Sequence, residues 1–462
     1  MRRWWMALAL LAAPAWAAGL APARIAEMRS LQQAAFHSDY AYRQVEALSD
    51  GIGPRLSGSP GAAAAVDYVA GEMRRLGLDV HLEPCMVPHW VRGAETGELV
   101  GWPGKVVPSP QKIVLTALGR SVATPPQGIT AEVVVVHSFD DLKAHGDVHG
   151  KIVLFDYPFN EALAAQGFGL DAYEDAVPYR VDGASAAVRQ GAVAALVRSV
   201  GPAGQRLPHT GVMSYEKDVA KIPTAAVTAE DADLMARLAA QGPIRMHLVL
   251  TPQTLPDVPS FNVIGDLKGR DRAGEVVLVS GHLDSWDLGT GAIDDGAGVA
   301  CAMEVAHLIQ AQHLTPSRTI RVVAWMNEEN GSQGAKAYRT DYKDTRHYAA
   351  IEMDLGADRP AGFAAHVSPS GLAALEDIRK VLAEGGAPTL VPSFEEGGAD
   401  VWGLGQDGVA TFGVLNDSRN YFRYHHTPAD TLDKIDPPQL RANAAAMTVL
   451  TWGLAHLDAA LR

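Results

Sequence analysis

The chain alternates between short apolar runs rich in β-branched residues and longer runs with helical periodicity. Four of the short runs lie in the C-terminal half: VVLVSG at 276–281, TIRVVAW at 319–325, YAAIEM at 348–353 and VATFGVL at 409–415. Helical patterns separate them, including GLAALEDIRKVLAEGG at 371–386. Buried strands that alternate with helices are typical of a largely parallel sheet. The pattern therefore predicts an α/β fold, with a mostly parallel sheet covered by helices on both faces.

The segment from 110 to 252 has a different pattern of apolar runs and turn residues. Its strand candidates KIVLTALG, EVVVVHSF and KIVLFDY are separated by turn residues, and a helical pattern covers Ala184–Val197. We predict an inserted domain at 110–252 within a catalytic domain formed by 18–109 and 253–462. Pro256–Pro259 is expected to be the linker back, after which FNVIGDLKG and VVLVSG should form neighbouring strands. The insert has few clustered catalytic candidates, so a structural or substrate-gating role is expected for it.

The first 17 residues, MRRWWMALALLAAPAWA, have the features of a signal peptide. Arg2 and Arg3 form a basic start, an apolar run follows, and Ala15-Trp16-Ala17 matches a cleavage site. The apolar run is too short to span a bilayer. We therefore expect an exported protein, secreted or periplasmic, without a membrane anchor.

Charge and cysteine content bear on the partners of the protein and on the state of its thiols. The chain has 39 Lys and Arg against 53 Asp and Glu, a formal net charge of -14 at pH 7. This balance argues against a nucleic-acid partner, because such proteins are usually basic. The two cysteines, Cys85 and Cys301, are far apart, and Cys301 lies in an apolar helical pattern. We expect two buried free thiols.

Candidate ligand residues follow each of the four predicted strands. They are His282 after VVLVSG, Glu328-Glu329 after TIRVVAW, Asp354 after YAAIEM, and His425-His426 in the loop after VATFGVL. In open α/β sheets, binding sites form at the carboxyl ends of the strands. Any one of these residues alone would be an ordinary loop residue, but their occurrence at every strand exit indicates one shared site.

These residue types are the ones that bind zinc. Zinc takes histidine nitrogen and carboxylate oxygen, and a co-catalytic pair needs metals roughly 3.5–4 Å apart. Such a pair also needs a bridging carboxylate. Asp294 lies between a Gly-rich loop and a helical pattern and can provide that bridge, although a single Asp there is more often a helix cap.

The neighbouring acids divide into further roles. Glu328 and Glu329 are adjacent near a strand end, so their side chains point to opposite sides. One of them can bind metal while the other acts as general base. Asp284 is two residues after His282 and shares its face of the strand. We expect the Asp284 side chain to accept the ring N–H of His282 and fix its tautomer.

Four motifs together resemble those of a known family. GHLDSWDLGTGAIDDGAG, NEENG, EMDLG and YHHTPADT are similar to the co-catalytic di-zinc exopeptidases, the aminopeptidase and glutamate-carboxypeptidase family. VPHWVRG, ITAEVVVVHSFDDL and IPTAAVTAEDA extend the resemblance to one subfamily, over nearly the whole chain after the signal peptide. The resemblance implies a zinc-exopeptidase fold of the phosphorylase/hydrolase-like type, an insert similar to a protease-associated domain, and a homodimer.

The resemblance also implies a set of site residues with assigned roles. Two zinc ions would share one carboxylate, each would have two further ligands, and an adjacent glutamate would be the general base. The bridge would be Asp294, with His282 and Asp354 on one metal, Glu329 and His426 on the other, and Glu328 as the base.

Two details follow from the same resemblance. His426 is favoured over His425, because the family's ligand precedes an Asp-Thr pair at a fixed step, here Asp430-Thr431. The peptide bond between Asp294 and Asp295 is cis in relatives.

The implied activity is hydrolysis of dipeptides or short peptides with a free N-terminus. A non-catalytic receptor or scaffold on the same fold is one rival, and the complete set of ligands and base disfavours it. A mononuclear cyclase is the other rival, and the bridging carboxylate disfavours that one. A lack of bound zinc, or unchanged hydrolysis in Glu328→Gln, would favour the receptor, and a count of one metal per chain would favour the cyclase.

Overall fold

The computed structural model describes residues 19–393 and 397–462, so the predicted signal peptide at 1–17 lies outside the described residues. The helices are α1 Pro22–His37, α2 Tyr40–Glu46, α3 Pro60–Arg75, α4 Phe139–His145, α5 Glu161–Ala164, α6 Gly169–Arg189, α7 Ala229–Ala239, α8 Ala297–Ala311, α9 Gln333–Asp341, α10 Pro369–Ala374, α11 Glu376–Glu384, α12 Trp402–Gln406, α13 Tyr421–Tyr424 and α14 Pro437–His456. The strands are β1 Asp79–Val91, β2 Glu95–Gly101, β3 Gln111–Ile113, β4 Leu115–Ala117, β5 Ile129–Val136, β6 Ile152–Phe155, β7 Ala194–Arg198, β8 Thr224–Val227, β9 Ile244–Leu250, β10 Gln253–Leu267, β11 Arg272–His282, β12 Arg318–Trp325, β13 Arg346–Glu352, β14 Pro360–His366, β15 Thr389–Pro392 and β16 Ala410–Asn416.

The larger unit is built on a sheet with the strand order β1-β10-β12-β11-β13-β16-β14-β15. Its centre is parallel, because β11 pairs in parallel with β12 and β13, and β13 pairs in parallel with β16. Antiparallel pairs join β1 to β10, β10 to β12, and β14 to β16. The predicted α/β class is confirmed, and the four strands followed by candidate ligands are direct neighbours.

The strand FNVIGDLKG was expected beside VVLVSG, and this prediction is wrong. It forms part of β10, which pairs with β1 and β12. The reason is the crossover through α8, after which the chain forms β12 parallel to β11. Strand β12 therefore lies between β10 and β11. Pro256–Pro259, expected as a linker, lies within β10 and opposite β1. The pairing of β10 with β12 begins only at Val263, so these prolines face no second strand and are tolerated.

The second sheet has the order β3-β2-β9-β5-β6-β7-β8-β4. It contains the strands predicted for the inserted domain, and it also includes β2, which lies before the predicted boundary at 110. The helical pattern expected over Ala184–Val197 is wrong in its second half. Helix α6 ends at Arg189, and Ala194–Arg198 is the fully buried strand β7 between β6 and β8. Pairing on both edges overrides the helical periodicity of this short apolar run.

Helices cover both faces of the first sheet. Val277 and Val279 of β11 belong to the apolar cluster formed with α1, α8 and α14. Val276 and Leu278 belong to a separate cluster that includes Tyr338 of α9. Alternate residues of a strand point to opposite faces, so β11 is buried on both sides, as its unbroken apolar run predicts.

Two further expectations concern single features. Cys85 and Cys301 are both free and buried, which confirms that prediction. Within 19–393 and 397–462, no helix is long and apolar enough to cross a membrane.

Candidate metal centre

Asp294 lies between two histidines. Its Oδ1 is 3.1 Å from Nε2 of His282, and its Oδ2 is 3.3 Å from Nε2 of His426. Each histidine also meets a second carboxylate: Asp354 Oδ1 is 3.2 Å from His282 Nε2, and Glu329 Oε2 is 3.0 Å from His426 Nε2. The structure therefore gathers all five predicted ligands into two triplets that share Asp294.

The carboxyl edge of the sheet brings these five side chains together. Strand β11 ends at His282, Glu329 follows β12, Asp354 follows β13, and His426 comes from the segment after β16 and α13. Because β12, β11, β13 and β16 are parallel neighbours, their carboxyl ends meet at one place. His282, Asp294, Glu329 and His426 are buried. Side chains that are distant in sequence thus form one enclosed cluster.

The chain around Asp294 is fixed by hydrogen bonds to the backbone. The Asp294–Asp295 peptide is cis, as the resemblance implied. The Asp295 carboxylate accepts from the amide of His282 at 3.0 Å and from that of Gly298 at 2.9 Å. Asp295 lies close enough to His282 and Asp354 to be a ligand by proximity alone. Its two oxygens are engaged by amides, so we assign it a role in positioning.

The predicted role of Asp284 needs correction. The backbone oxygen of Asp284, and not its carboxylate, lies 2.9 Å from Nδ1 of His282. Asp284 Oδ1 instead accepts from the amides of Asn327 at 2.6 Å and Glu328 at 3.1 Å. The reason is that β11 ends at His282, so the two-residue periodicity that would put both side chains on one face stops there. The Asp284 side chain therefore anchors the loop that carries Glu328.

Burial and neighbouring charge shift the pKa values of the site. Burial would raise the pKa of Asp294, but His282 and His426 hold it well below its usual value. Burial raises the pKa of Glu329 to about 7. Burial, reinforced by neighbouring carboxylates, raises the pKa of Glu328 well above its usual value. Several acids share two imidazoles in a buried space, so an added cation would lower the free energy of the ionised cluster.

The donor set fits zinc. Each triplet offers one imidazole nitrogen and two carboxylates, and a catalytic zinc site typically has three protein ligands and one open position. Glu329 Oε1 is buried and has no hydrogen-bond partner in the described part of the chain. A buried, unpaired carboxylate oxygen is costly unless a cation neutralises it. The residues present could hold a metal at both triplets.

His425 also approaches the centre but lacks a second acidic partner in the described residues. Its Nε2 is 3.6 Å from Asp294 Oδ2, and its ring stacks on that of His426 with centroids 3.5 Å apart. Burial and the neighbouring His426 lower the pKa of His425 well below its usual value. His426 contacts both Asp294 and Glu329, and its Nδ1 is 3.3 Å from the backbone oxygen of Thr210. His426 therefore remains the preferred ligand.

Two supporting residues were not identified as such from the sequence. Arg55 is fully buried and donates to the backbone oxygens of Leu283 at 2.8 Å and of Thr290 and Gly291 at 2.7 Å. It lies in a Gly/Pro/Ser loop that carries no metal-site signal. Asp430 Oδ1 accepts from the amides of two residues directly before Asp294, each at 2.8 Å. The sequence marks Asp430 through the Asp430-Thr431 pair, but that pair indicates only that His426 is preferred over His425 as a ligand.

Comparison with known proteins agrees with this geometry. Residues 262–451 match Peptidase family M28, and residues 111–235 match the PA domain. The chain is 38% identical to carboxypeptidase Q from Bos taurus over 423 residues, which cover 90% of this chain and 86% of that protein. The chain belongs to peptidase family M28. The M28 chain is also 38% identical to carboxypeptidase Q from Homo sapiens, with the same coverage of 90% and 86%.

Solved structures give the same assignment. A peptidase M28 precursor from Shewanella amazonensis SB2B has a TM-score of 0.89 and 37% identity, covering 95% of this chain and 98% of that one. An aminopeptidase from Aneurinibacillus sp. strain AM-1 has a TM-score of 0.62 at 22% identity, with 94% and 96% coverage, and shows the fold alone. The family resemblance is confirmed, and the subfamily to which the sequence motifs extended it is that of the carboxypeptidase Q relatives. The M28 chain is a zinc metallopeptidase, an exopeptidase with an inserted PA domain.

Proposed function

We propose that this M28 chain is an exported di-zinc exopeptidase that hydrolyses dipeptides or short peptides with a free N-terminus. The observation that carries the proposal is the position of Asp294, whose two oxygens face His282 and His426 separately. One carboxylate placed between two imidazoles is the arrangement that a bridged metal pair requires. We assign His282 and Asp354 to one zinc, Glu329 and His426 to the other, and Asp294 to both.

Glu328 is the proposed general base. Zinc, when bound, supplies Lewis acidity to the scissile carbonyl and raises the acidity of water. Glu328 takes the proton from the attacking water, whose oxygen forms the new bond to the carbonyl carbon. The C–N bond then breaks, and Glu328 returns the proton to the leaving amine.

Asp284 and Asp430 hold the two backbone segments that carry the proposed base and the proposed bridging ligand. Asp284 accepts the backbone amide of Glu328 and so fixes the loop on which the base lies. Asp430 holds the backbone before Asp294 through Ala292 and Ile293. Neither residue needs to contact the substrate, so both are positioning residues.

A mixed-substrate experiment tests the proposal. The purified chain is freed of metal with a chelator, reloaded with zinc, and given a mixture of dipeptides and tripeptides that is analysed by mass spectrometry. We expect cleavage that the chelator abolishes and zinc restores, with close to two zinc ions per chain. The absence of chelator-sensitive cleavage would overturn the proposal, and full activity at one zinc per chain would favour the mononuclear rival.

Export and assembly are further parts of the proposal. The signal-like sequence at 1–17 supports export, and the mature protein should begin at Ala18 when its N-terminus is sequenced. The resemblance supports a homodimer, which light scattering of the zinc-loaded protein would measure directly. A monomer at micromolar concentration would contradict the dimer and leave the proposed chemistry standing.

A further inference from the structure

A buried asparagine holds both ends of the loop that carries the proposed base. Asn262 of β10 is fully buried. Its Oδ1 accepts from the amide of Met326 at 2.9 Å, and its Nδ2 donates to the backbone oxygen of Gly334 at 2.9 Å. Met326 lies two residues before Glu328, and Gly334 lies in α9, after the loop. One side chain thus ties the two ends of the loop together.

The Asn262 side chain continues the sheet beyond its backbone pairing. Strand β10 pairs with β12 from Val263, opposite Ala324, to Leu267. Asn262 is the next residue of β10 beyond this ladder, and the amide it bonds comes directly after the end of β12. A primary amide suits this place, because it offers an acceptor and two donors at once.

Gly334 permits the close approach of the asparagine. A Cβ at this position would lie 2.1 Å from Asn262 Oδ1 and 2.5 Å from the backbone oxygen of Met326. Both distances are shorter than van der Waals contact, so a larger residue would displace the asparagine. The amide of Gly334 also donates to the Met326 oxygen at 3.0 Å. The base of the loop is therefore closed by a backbone hydrogen bond and by the Asn262 side chain.

Glu83 of β1 fixes the orientation of the Asn262 side chain. It lies opposite Asn262 in the pairing of β1 with β10, and its Oε2 accepts from Asn262 Nδ2 at 2.6 Å. Both donors of Nδ2 are then used, by Glu83 and by Gly334, so the amide cannot turn over without losing them. Glutamate is rarely buried unless it is paired. Its contact with Asn262 accounts for a buried acid at this strand position.

The proposed base depends on its backbone for its position. Glu329 is also held through its side chain, because its Oε2 lies 3.0 Å from His426 Nε2. The amide of Glu328 donates to Asp284 at 3.1 Å, and Asn262 holds the same loop two residues earlier. We propose that Asn262 is a positioning residue for peptide hydrolysis and acts through Glu328. This inference rests on the proposed exopeptidase function and adds to it a residue outside the metal centre.

Asn262→Asp tests this role with little change of shape. The aspartate keeps the acceptor for Met326 but cannot donate to Gly334, and it places a second carboxyl group beside Glu83. We expect kcat of the zinc-loaded variant on a dipeptide to fall about 10- to 100-fold, because a shift of about 1 Å in a catalytic group can cost about 10²-fold. KM and zinc per chain should stay near those of wild type. Asn262→Ala, which adds no charge, should show the same separation of kcat from KM.

A buried glutamine supplies the matched control. Gln32 of α1 is buried and donates to the backbone oxygen of Val381 in α11 at 2.8 Å. Gln32→Glu makes the same change from amide to acid. It should lower the midpoint of urea unfolding and leave kcat of the folded protein unchanged. An equal fall of kcat in Gln32→Glu would show that the effect of Asn262→Asp is general damage, and would overturn the proposal.

Two substitutions of Glu83 test the same contact from its other side. Glu83→Gln retains an oxygen that accepts from Asn262 and should keep kcat near that of wild type. Glu83→Leu leaves one Asn262 donor without its partner and should lower kcat severalfold. This pair decides the question if the Asn262 variants do not fold, and equal kcat in the two would then overturn the proposal.

A double-mutant cycle identifies the group through which Asn262 acts. In a Glu328→Gln background, Asn262→Asp should lower kcat little further, because the base is already absent. A further loss of about 10- to 100-fold would overturn the proposal, as would an unchanged kcat in Asn262→Asp alone. Loss of zinc with normal kcat after reloading would assign the effect to Glu329 and also overturn it. Failure of the exopeptidase function is distinguishable, because wild type itself would then show no chelator-sensitive cleavage.

Discussion

Glu329 and His426 come from different strand exits, yet Glu329 Oε2 lies 3.0 Å from His426 Nε2. The loop after β12 carries Glu329 and the segment after α13 carries His426, and β11 and β13 lie between β12 and β16 in the sheet. Both side chains are buried, and burial raises the pKa of Glu329 to about 7. Their meeting point is the proposed second metal position, since Asp294 also lies beside His426.

The bridging role of Asp294 predicts unequal effects of two substitutions on metal content. Asp294→Asn should reduce zinc below one ion per chain, because both triplets contain this carboxylate. Asp354→Asn should leave about one, because Asp354 belongs to one triplet, through its contact with His282. Zinc per chain is measured by mass spectrometry after dialysis against dilute zinc. Equal stoichiometry in the two variants would contradict a shared ligand.

The base assignment predicts a rate effect without metal loss. Glu328→Gln should reduce kcat about 10²- to 10⁴-fold, since the amide cannot take a proton from water. Zinc content should equal that of wild type, because the proposed ligand is Glu329. The control Glu46→Gln removes an exposed glutamate of α2 and should leave kcat unchanged. Retained hydrolysis in Glu328→Gln would remove Glu328 from the mechanism.

Asp284 offers a test of the corrected contact. Its carboxylate holds the amides of Asn327 and Glu328, whereas its backbone oxygen faces His282. Asp284→Ala, which removes the acceptor of both amides, should therefore lower kcat by about 10- to 100-fold and leave zinc affinity near that of wild type. If zinc affinity falls while kcat of the reloaded enzyme is unchanged, the carboxylate acts on His282 after all.

Asp430 should matter for stability even without metal. Asp430→Ala removes the acceptor of two buried amides, those of Ala292 and Ile293, each bonded at 2.8 Å. At about 1–3 kcal/mol for each of the two unpaired amides, the free energy of unfolding should fall by about 2–6 kcal/mol. Urea unfolding in the presence of a chelator measures this change. The nearby exposed Asp433→Ala should cost less than about 0.5 kcal/mol, and a similar cost for both would contradict the capping role.

A buried acid away from the site predicts a pH effect. Burial raises the pKa of Glu304 from 4.5 to about 7, and its Oε2 accepts from the amide of Ala41 at 2.8 Å. Because the folded pKa is the higher one, the stabilisation is complete below pH 4.5 and is lost as the pH rises through 7. Glu304→Gln should therefore gain about 3 kcal/mol relative to wild type between pH 5 and pH 8. A pH-independent difference in urea unfolding would refute this.

The contrast between β11 and β7 shows which strands the local sequence pattern can predict. The run at β11 is long, β-branched and followed by glycine and aspartate, so its strand character and its exit were predictable. The run at β7 continues the composition of α6, and only pairing with β6 and β8 makes it a strand. Local sequence cannot contain that information, because the partners lie elsewhere in the chain.

The same division applies to the site. Residue types and strand-exit positions identified His282, Asp294, Glu328, Glu329 and Asp354 as candidates, and the family resemblance gave them roles. The sequence determined this much because metal ligands must be particular residue types, and parallel strands deliver them to one edge. Only the tertiary structure decided that Asp284 anchors the loop that carries Glu328. It also decided that Arg55 and Asp430 hold the backbone around Asp294. The contact of Arg120, from the insert, with Asn330 is a third result of the tertiary structure. These contacts depend on where β11 ends and how the two sheets meet, which are properties of packing and not of any local pattern.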